Sequence, residues 1–144
     1  MFLRYLLVTG MSIQIEKQTS IQKFNHNFFE SKCTILLQNM PELRHVGLLD
    51  PMGNQVAGDF KHGIKPLMTL DERKKMNIEA VLRVKIRQDF DEKLGSVTYA
   101  AARRSTVVMM SFLMGDYVLI VSANKDVEID KTARKIMNLC GISN

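Results

Sequence analysis

The sequence contains few of the residues and patterns that point to a chemical activity. Trp is absent, and aromatic residues make up only 7% of the 144 residues. Recognition of single-stranded nucleic acid by base stacking depends on aromatic side chains, so this scarcity disfavours it. The motifs GxxxxGK[ST], GxGxxG, HExxH and GxSxG, which mark nucleotide-binding and hydrolytic sites, do not occur. We therefore expect a protein that is not an enzyme and needs no cofactor.

Cysteine and histidine are also sparse. Cys33 and Cys140 lie far apart, and neither belongs to a close Cys/His cluster, so a zinc site is not expected. The default expectation is two reduced, partly buried thiols in a cytoplasmic protein. His26, His45 and His62 are scattered along the chain. We interpret His45, beside a predicted strand, as a structural residue rather than a catalytic one.

Long hydrophobic runs are missing as well. A membrane helix needs roughly 20 consecutive apolar residues, and the apolar stretch in Met1–Gly10 is short and interrupted by Arg4. It is also shorter than the core of a signal peptide. We interpret residues 1–11 as an arm or a mis-called start, with Met11 as the alternative start. Residues 12–144 then form a single domain, and no membrane partner is predicted.

Charge of one sign is not concentrated anywhere. The net charge is +5, and acidic residues are interspersed with basic ones without a run of five like charges. This balance permits attraction to nucleic acid, anionic lipid or an acidic protein. It favours a solvated, slightly basic surface over a dedicated nucleic-acid-binding surface.

The N-terminal third predicts a helix followed by a hairpin. Apolar residues recur at helical spacing over about Ser20–Asn39, and Thr19 or Ser20 can cap that helix. His45–Leu49 and Gln55–Phe60 then read as two strands. The Asp, Pro and Gly of Asp50–Asn54 favour a turn between them.

A long helix comes next. Thr69 and Glu72 have the spacing of a capping box, and Gly95 suits a C-cap, so we predict a helix over Leu70–Leu94. It carries two apolar stripes that face well apart, one made of Ile78, Leu82, Ile86 and Phe90, the other of Met76, Ala80 and Val84. One stripe is enough to pack on a sheet. The other predicts a further buried contact, with the first helix or a partner subunit, and we assign the second stripe as the candidate homodimer contact.

The rest of the chain predicts a strand meander and a final helix. The strands are Ser96–Arg103, Thr106–Met114 and Tyr117–Ala123, with a tight turn at Gly115-Asp116. The second and third strands are almost continuously apolar, which is typical of strands covered on both faces. The last helix is predicted over about Ile129–Leu139.

The predicted order is α-β-β-α-β-β-β-α, which resembles the Roadblock and profilin-like architecture. In addition, His45–Leu67, Val84–Tyr99, Ala102–Phe112 and Tyr117–Ala123 resemble a family of small proteins of unknown function known from ammonia-oxidising archaea. The resemblance implies an α+β fold, a five-stranded antiparallel sheet with helices on its faces. It brings no catalytic residues to carry over.

Four arginines are the candidate partner-docking residues. Arg83 and Arg87 share a face of the long helix, whereas Arg103 and Arg104 lie near a turn of the meander. Together they could dock an acidic protein, a phosphate or a nucleic-acid backbone through the planar guanidinium. The alternative is a solvated surface with a salt bridge to Asp91 or Glu92, for which Arg87 and Asp91, one helical turn apart, are the simplest pair.

Three functions remain open at this point. The first is an adaptor or regulatory module that acts by homodimerisation and by docking an unknown protein, as Roadblock-type domains do. The second is a small-molecule sensor of the PAS or profilin-like kind, which needs a cavity between the sheet and the long helix. The third, which the composition disfavours, is electrostatic binding of nucleic acid.

Overall fold

A computed structural model describes residues 26–142 of the chain. The described part of the first helix, α1, covers residues 26–39. The elements that follow are β1 (Leu43–Leu49), β2 (Gln55–Phe60), α2 (Leu70–Gln88), α3 (Asp91–Leu94), β3 (Ala100–Arg103), β4 (Val107–Met114), β5 (Tyr117–Asn124) and α4 (Ile129–Cys140). The predicted arm or mis-called start at residues 1–11, and the predicted beginning of α1, lie outside the described residues.

The strands form one five-stranded antiparallel sheet in the order β2-β1-β5-β4-β3. The central strand β5 pairs with β1 on one side and with β4 on the other, so that Val121 lies between Val46 and Met110. The short strands β2 and β3 are the two edges. The predicted fold class and element order are therefore confirmed, with α3 as an addition.

One face of the sheet is covered by α1 and α4. Leu36 of α1 and Ile136 of α4 are fully buried there, with alternate strand residues such as Val46, Phe112 and Val121. Side chains alternate between the two faces of a strand, so the residues between these face the other way. This larger cluster holds most of the buried apolar side chains of residues 26–142.

The two cysteines belong to that larger cluster. Cys33 on α1 and Cys140 on α4 are both buried free thiols. Burial disfavours the thiolate and raises the pKa of Cys33 to about 12 and that of Cys140 to about 11. Both therefore behave as small apolar side chains rather than as reactive groups.

The opposite face of the sheet is covered by α2. Val81 of α2 packs in a small cluster with Leu49, Val118 and Ile120. The first and last helices thus share one face and the long helix occupies the other. Strands β4 and β5 have a helical layer on each side, as their apolar sequences predicted.

The start of α2 is the capping box that the sequence predicted. The Thr69 hydroxyl accepts a hydrogen bond from the Glu72 backbone N–H at 3.2 Å. The Glu72 carboxylate in turn accepts one from the Thr69 backbone N–H at 3.0 Å. Two free first-turn donors are satisfied by this exchange, which fixes where the helix begins.

The end of α2 differs from the prediction of a single helix to Leu94. The last turn tightens, because Asp89 N–H donates to Ile86 O and Phe90 N–H donates to Arg87 O, each three residues back. The helix therefore ends at Gln88. The separate turn α3 follows, and Gly95, with φ of 82°, ends α3 rather than α2.

The first meander strand is also shorter than predicted. β3 begins at Ala100, which pairs with Ser111, so residues 96–99 of the predicted strand Ser96–Arg103 are not paired in the sheet. The other predicted strands and the last helix differ from the observed elements only at their ends.

Candidate functional site

The outward face of α2 carries a row of exposed apolar side chains. Ile78, Leu82 and Ile86 are 50%, 53% and 59% exposed, and Phe90 just beyond the helix is 56% exposed. Single exposed apolar residues are common, but a contiguous row on one helix face marks an interaction surface. We call Ile78, Leu82 and Ile86 the α2 stripe.

The inward face of α2 holds the residues that were predicted to form the homodimer contact. Asn77 and Val81 are buried against the sheet. Met76, Ala80 and Val84 lie beside them on the helix and are half-buried on the same side. This placement turns the three residues toward the sheet, and their contact with a partner subunit stays a prediction. The α2 stripe is the more exposed apolar face of the helix. The homodimer itself stays a prediction.

The β1–β2 turn fixes one border of the α2 stripe. Gly53 sits so close to α2 that a Cβ there would lie 3.0 Å from the Cα of Ile78. The ammonium of Lys85 donates to the carbonyl of Pro51 at 3.3 Å. These contacts hold the helix against the turn, so the α2 stripe is presented on a supported helix.

Three of the four predicted docking arginines come together. Arg83, Arg87 and Arg104 line a shallow hollow of about 120 Å³ between α2 and strands β3 and β4. Arg103 does not join them, because its guanidinium donates to carbonyls of the β5–α4 connection, including that of Val127 at 2.6 Å. The arginine surface is therefore narrower than the sequence predicted.

The predicted salt bridge from Arg87 to Asp91 is not formed among the residues described. Arg83 instead pairs with Glu79 one turn away, with both side chains more than half exposed. An exposed pair of this kind contributes little to stability. Arg87 and Asp91 both border a second small hollow, of about 60 Å³, at the end of α2.

A larger cavity of about 460 Å³ lies between the N-terminal half of α2 and the sheet. Pockets that hold small molecules are typically about 300–1,000 Å³. Arg44, Arg73, Arg104 and His45 line it, and no carboxylate does. We call these four residues the basic cluster of the cavity. The sensor hypothesis required a cavity at this place.

His45 is the most buried member of the basic cluster. It is 7% exposed, and its ring lies 4.4 Å from the Phe60 ring, centroid to centroid. Its Nε2 has no hydrogen-bond partner within residues 26–142. Burial, followed by the charge of Arg73, lowers the pKa of His45 to about 4, against weaker opposing effects of Asp59 and Gln55. The ring is therefore neutral at pH 7.

Arg73 reaches into the same region from α2. Its guanidinium carbon lies 5.2 Å from the Phe60 ring centroid, a cation–π contact. Its Nε is buried and has no hydrogen-bond partner in the described part of the chain. In that part, no arginine of the basic cluster forms an ion pair with a carboxylate. The cavity is therefore positive and not neutralised from within.

Sequence reasoning identified Arg104 as a docking residue but missed the rest of the basic cluster. Arg44 and His45 lie on β1, Arg73 lies on α2 and Arg104 follows β3. No spacing along the chain relates these positions. Only the packing of α2 over the sheet brings them together.

The described residues contain neither a metal-ligand cluster nor a membrane-spanning helix. There, no group of three or more His, Cys, Asp and Glu side chains is placed to hold a metal ion. No helix in that range is long and apolar enough to cross a membrane.

A family model described as a family of unknown function (DUF6659) matches residues 21–143. The chain belongs to this family. The matched range covers the sheet, the α2 stripe and the cavity, which are thus all parts of the DUF6659 domain. The match confirms that the chain belongs to a family of unknown function, as the resemblance implied. The origin of that family in archaea stays a prediction. No curated protein matches the chain.

Solved structures similar to this DUF6659 chain include a Roadblock/LC7 domain and MglB proteins. The Roadblock/LC7 domain from Streptomyces avermitilis has a TM-score of 0.60 at 13% identity, covering 78% of this chain and 91% of that one. MglB of Myxococcus xanthus has a TM-score of 0.62 at 12% identity, covering 81% and 85%. A structure described as MglB with tetrameric arrangement has a TM-score of 0.58 at 11% identity, covering 79% and 90%. These likenesses show the Roadblock/LC7-like fold.

Proposed function

We propose that this chain is a small adaptor or regulatory module that forms a homodimer through the outer face of α2 and docks a second protein. The role is one of binding and not of catalysis. The α2 stripe carries the proposal, since it is the apolar surface that the sheet and the β1–β2 turn leave uncovered. The similar MglB structure with a tetrameric arrangement supports self-association as a property of this fold.

The geometry of the α2 stripe suits a symmetric dimer. A two-fold interface uses the same patch on both subunits, and a straight row of apolar side chains on one helix can pack against its own copy. Burying a large aliphatic side chain stabilises by about 1.5–3 kcal/mol. Three such residues on each subunit supply a useful part of an association free energy.

Two further features extend the interface. β3 is an edge of the sheet, and Ala101, Ala102 and Arg103 on it are exposed, so a second chain could pair with its free backbone groups. The hollow lined by Arg83, Arg87 and Arg104 lies between this edge and α2. An acidic segment of a docked protein would complement its charge.

The test is the mass of the purified full chain by light scattering, for the wild type and Leu82→Glu. The wild type is expected at twice the chain mass of 16.4 kDa. Leu82→Glu is expected at the single-chain mass, because a dimer would bury a carboxylate without a partner. Leu82 is half exposed, so the folded single chain tolerates the change.

The matched control is Asn138→Glu, which adds the same charge to an exposed position of α4, in the layer on the far side of the sheet. It should stay dimeric. A wild type that is monomeric at high micromolar concentration would end the homodimer proposal. If Leu82→Glu stays dimeric, the dimer interface does not include the α2 stripe.

The cavity favours a second candidate function, a small-molecule sensor of the PAS or profilin-like kind. Its volume and its mixed polar and apolar lining are those of a ligand site. Native mass spectrometry of the purified protein tests this candidate directly. A bound compound released on unfolding supports it, and a compound that fills the cavity would alter how α2 sits on the sheet.

A further inference from the structure

We propose that the cavity between α2 and the sheet binds a small phosphate monoester that carries an apolar body. This inference rests on the second candidate function and names its ligand class, and it is independent of the homodimer. Three properties of the cavity support this proposal. They are its positive charge, two buried polar atoms without partners among residues 26–142, and the apolar part of its lining.

The first property is charge. Arg44, Arg73 and Arg104 line the cavity without a lining carboxylate, and none of the three is ion-paired within residues 26–142. A guanidinium taken partly out of water needs an opposite charge or several acceptor oxygens. A phosphate monoester has up to two negative charges near neutral pH and three terminal oxygens for such donors. A carboxylate supplies one charge and two oxygens, so the three arginines favour the phosphate.

The second property is the pair of buried polar atoms. Nε2 of His45 and Nε of Arg73 are both buried and have no hydrogen-bond partner among the described residues. His45 is 7% exposed, and it lines the cavity together with Arg73. Buried polar atoms in native proteins are almost always hydrogen-bonded, so each exception needs a partner or an explanation, such as an ordered water, an ion or a ligand. A neutral imidazole protonated on Nε2 and a guanidinium N–H both donate to phosphate oxygens.

The third property is the apolar remainder of the lining. Phe60, Met76, Met109 and Ile120 also line the cavity. Met side chains are adaptable, so this part suits a ring or an alkyl chain without a fixed shape. An inorganic ion alone would leave this surface and most of the 460 Å³ unused. The expected ligand is therefore an organic phosphate.

The experiment measures binding of phenyl phosphate and hexyl phosphate to the full chain by isothermal calorimetry and by the shift in Tm. Inorganic phosphate and the neutral alcohols phenol and hexanol serve as partial ligands. We expect an organic phosphate to bind more tightly than inorganic phosphate and than its own alcohol, and to raise Tm. The His45 ring signals in NMR should shift on binding, which places the ligand in this cavity.

Two variants test the basic cluster. Arg73→Gln and Arg104→Gln should each weaken binding of the organic phosphate by roughly tenfold to a hundredfold, the usual effect of losing a hydrogen bond to a charged group. Arg104 is exposed, so its variant folds even where Arg73→Gln does not. Arg134→Gln is the matched control. It removes the same charge from α4, more than half exposed and far from the cavity, and should bind as the wild type does.

The outcomes separate the ligand class from the sensor function. Equal binding of the alcohol and its phosphate overturns the anionic ligand but leaves a small-molecule site. Phosphate binding that Arg104→Gln and Arg73→Gln leave unchanged overturns the site. Absence of binding by every probe overturns the ligand class, and the sensor function then depends only on whether native mass spectrometry finds another bound compound.

Discussion

At the scale of single residues, His45 is a buried side chain whose protonation state depends on its neighbours. Its ring lies 4.4 Å from the Phe60 ring at a tilt of 46° and is nearly closed off from water, and the guanidinium of Arg73 lies over the same Phe60 ring. The sequence predicted a structural histidine with its hydrogen bonds satisfied. The ring contact with Phe60 fits that role, whereas the buried Nε2 without a hydrogen-bond partner in residues 26–142 does not. Burial and the charge of Arg73 both oppose a positive charge on the ring. The free energy of unfolding therefore depends on pH through His45.

We predict that the free energy of unfolding falls as the pH drops from 6.5 to 4. In that window the unfolded chain binds a proton at residue 45 that the folded chain, with its lowered pKa of about 4, does not bind. Stability is lost where the unfolded state binds more protons, and the contribution is flat above and below the window. The loss should be about 3 kcal/mol in total. Urea unfolding at a series of pH values measures it.

His45→Gln isolates this effect, because glutamine is neutral in both states. The variant should lose most of the extra destabilisation between pH 6.5 and 4, whatever its stability at pH 7. His62→Gln, at an exposed position, is the matched control and should keep the wild-type profile. If wild type and His45→Gln have parallel profiles, the ring is not buried neutral.

At the scale of elements, the N-terminus of α2 depends on its capping box. Thr69→Ala removes the acceptor for the Glu72 N–H and should lower the free energy of unfolding by about 1 kcal/mol. Thr98→Ala, at an exposed position with no side-chain hydrogen bond to another residue between 26 and 142, should change it by far less. Urea unfolding of both variants checks this. Equal, small effects would mean that tertiary contacts alone hold the first turn.

The two ends of α2 show what sequence can and cannot predict. Its start follows from local chemistry, because Thr69 and Glu72 bond to each other's backbone, and that was predicted correctly. Its end at Gln88 carries no Gly or Pro. It results from a tightened last turn, whereas Gly95 offered a plausible but later stop. A terminus set by a local sequence motif can be predicted, whereas the end of α2 carries no such motif.

The sequence also could not predict how α2 is rotated about its own axis. Periodicity revealed two apolar stripes but not which one meets the sheet. The structure places Asn77 and Val81 inward, flanked by the small Ala80, and leaves the more apolar stripe at the surface. Side-chain size and the space over the central strands decide this, and neither is visible in a pattern of apolar positions. For the same reason, the sequence could name the place where a sensor would need a cavity, but it could not show that the cavity is there.

At the scale of the whole molecule, the two faces of the sheet are packed unequally. The face beneath α1 and α4 holds the larger cluster of buried side chains, whereas α2 contributes only Asn77 and Val81 as buried residues and is bordered by three hollows. A helix with little buried surface opens at low free-energy cost. We infer that the α2 layer is the adjustable part of the fold, and both the proposed homodimer and the proposed ligand site involve it.

Hydrogen exchange tests this inference. In dilute protein, the amides of α2 should exchange faster than those of β1 and β5, since the helix can open without the rest of the fold. A homodimer that buries the α2 stripe stabilises the closed helix by mass action, so exchange in α2 should slow as protein concentration rises. Leu82→Glu should abolish this concentration dependence, and Asn138→Glu should keep it. Exchange of α2 that is as slow as that of β5 in Leu82→Glu would contradict the inference, because the helix would then be held by the sheet alone.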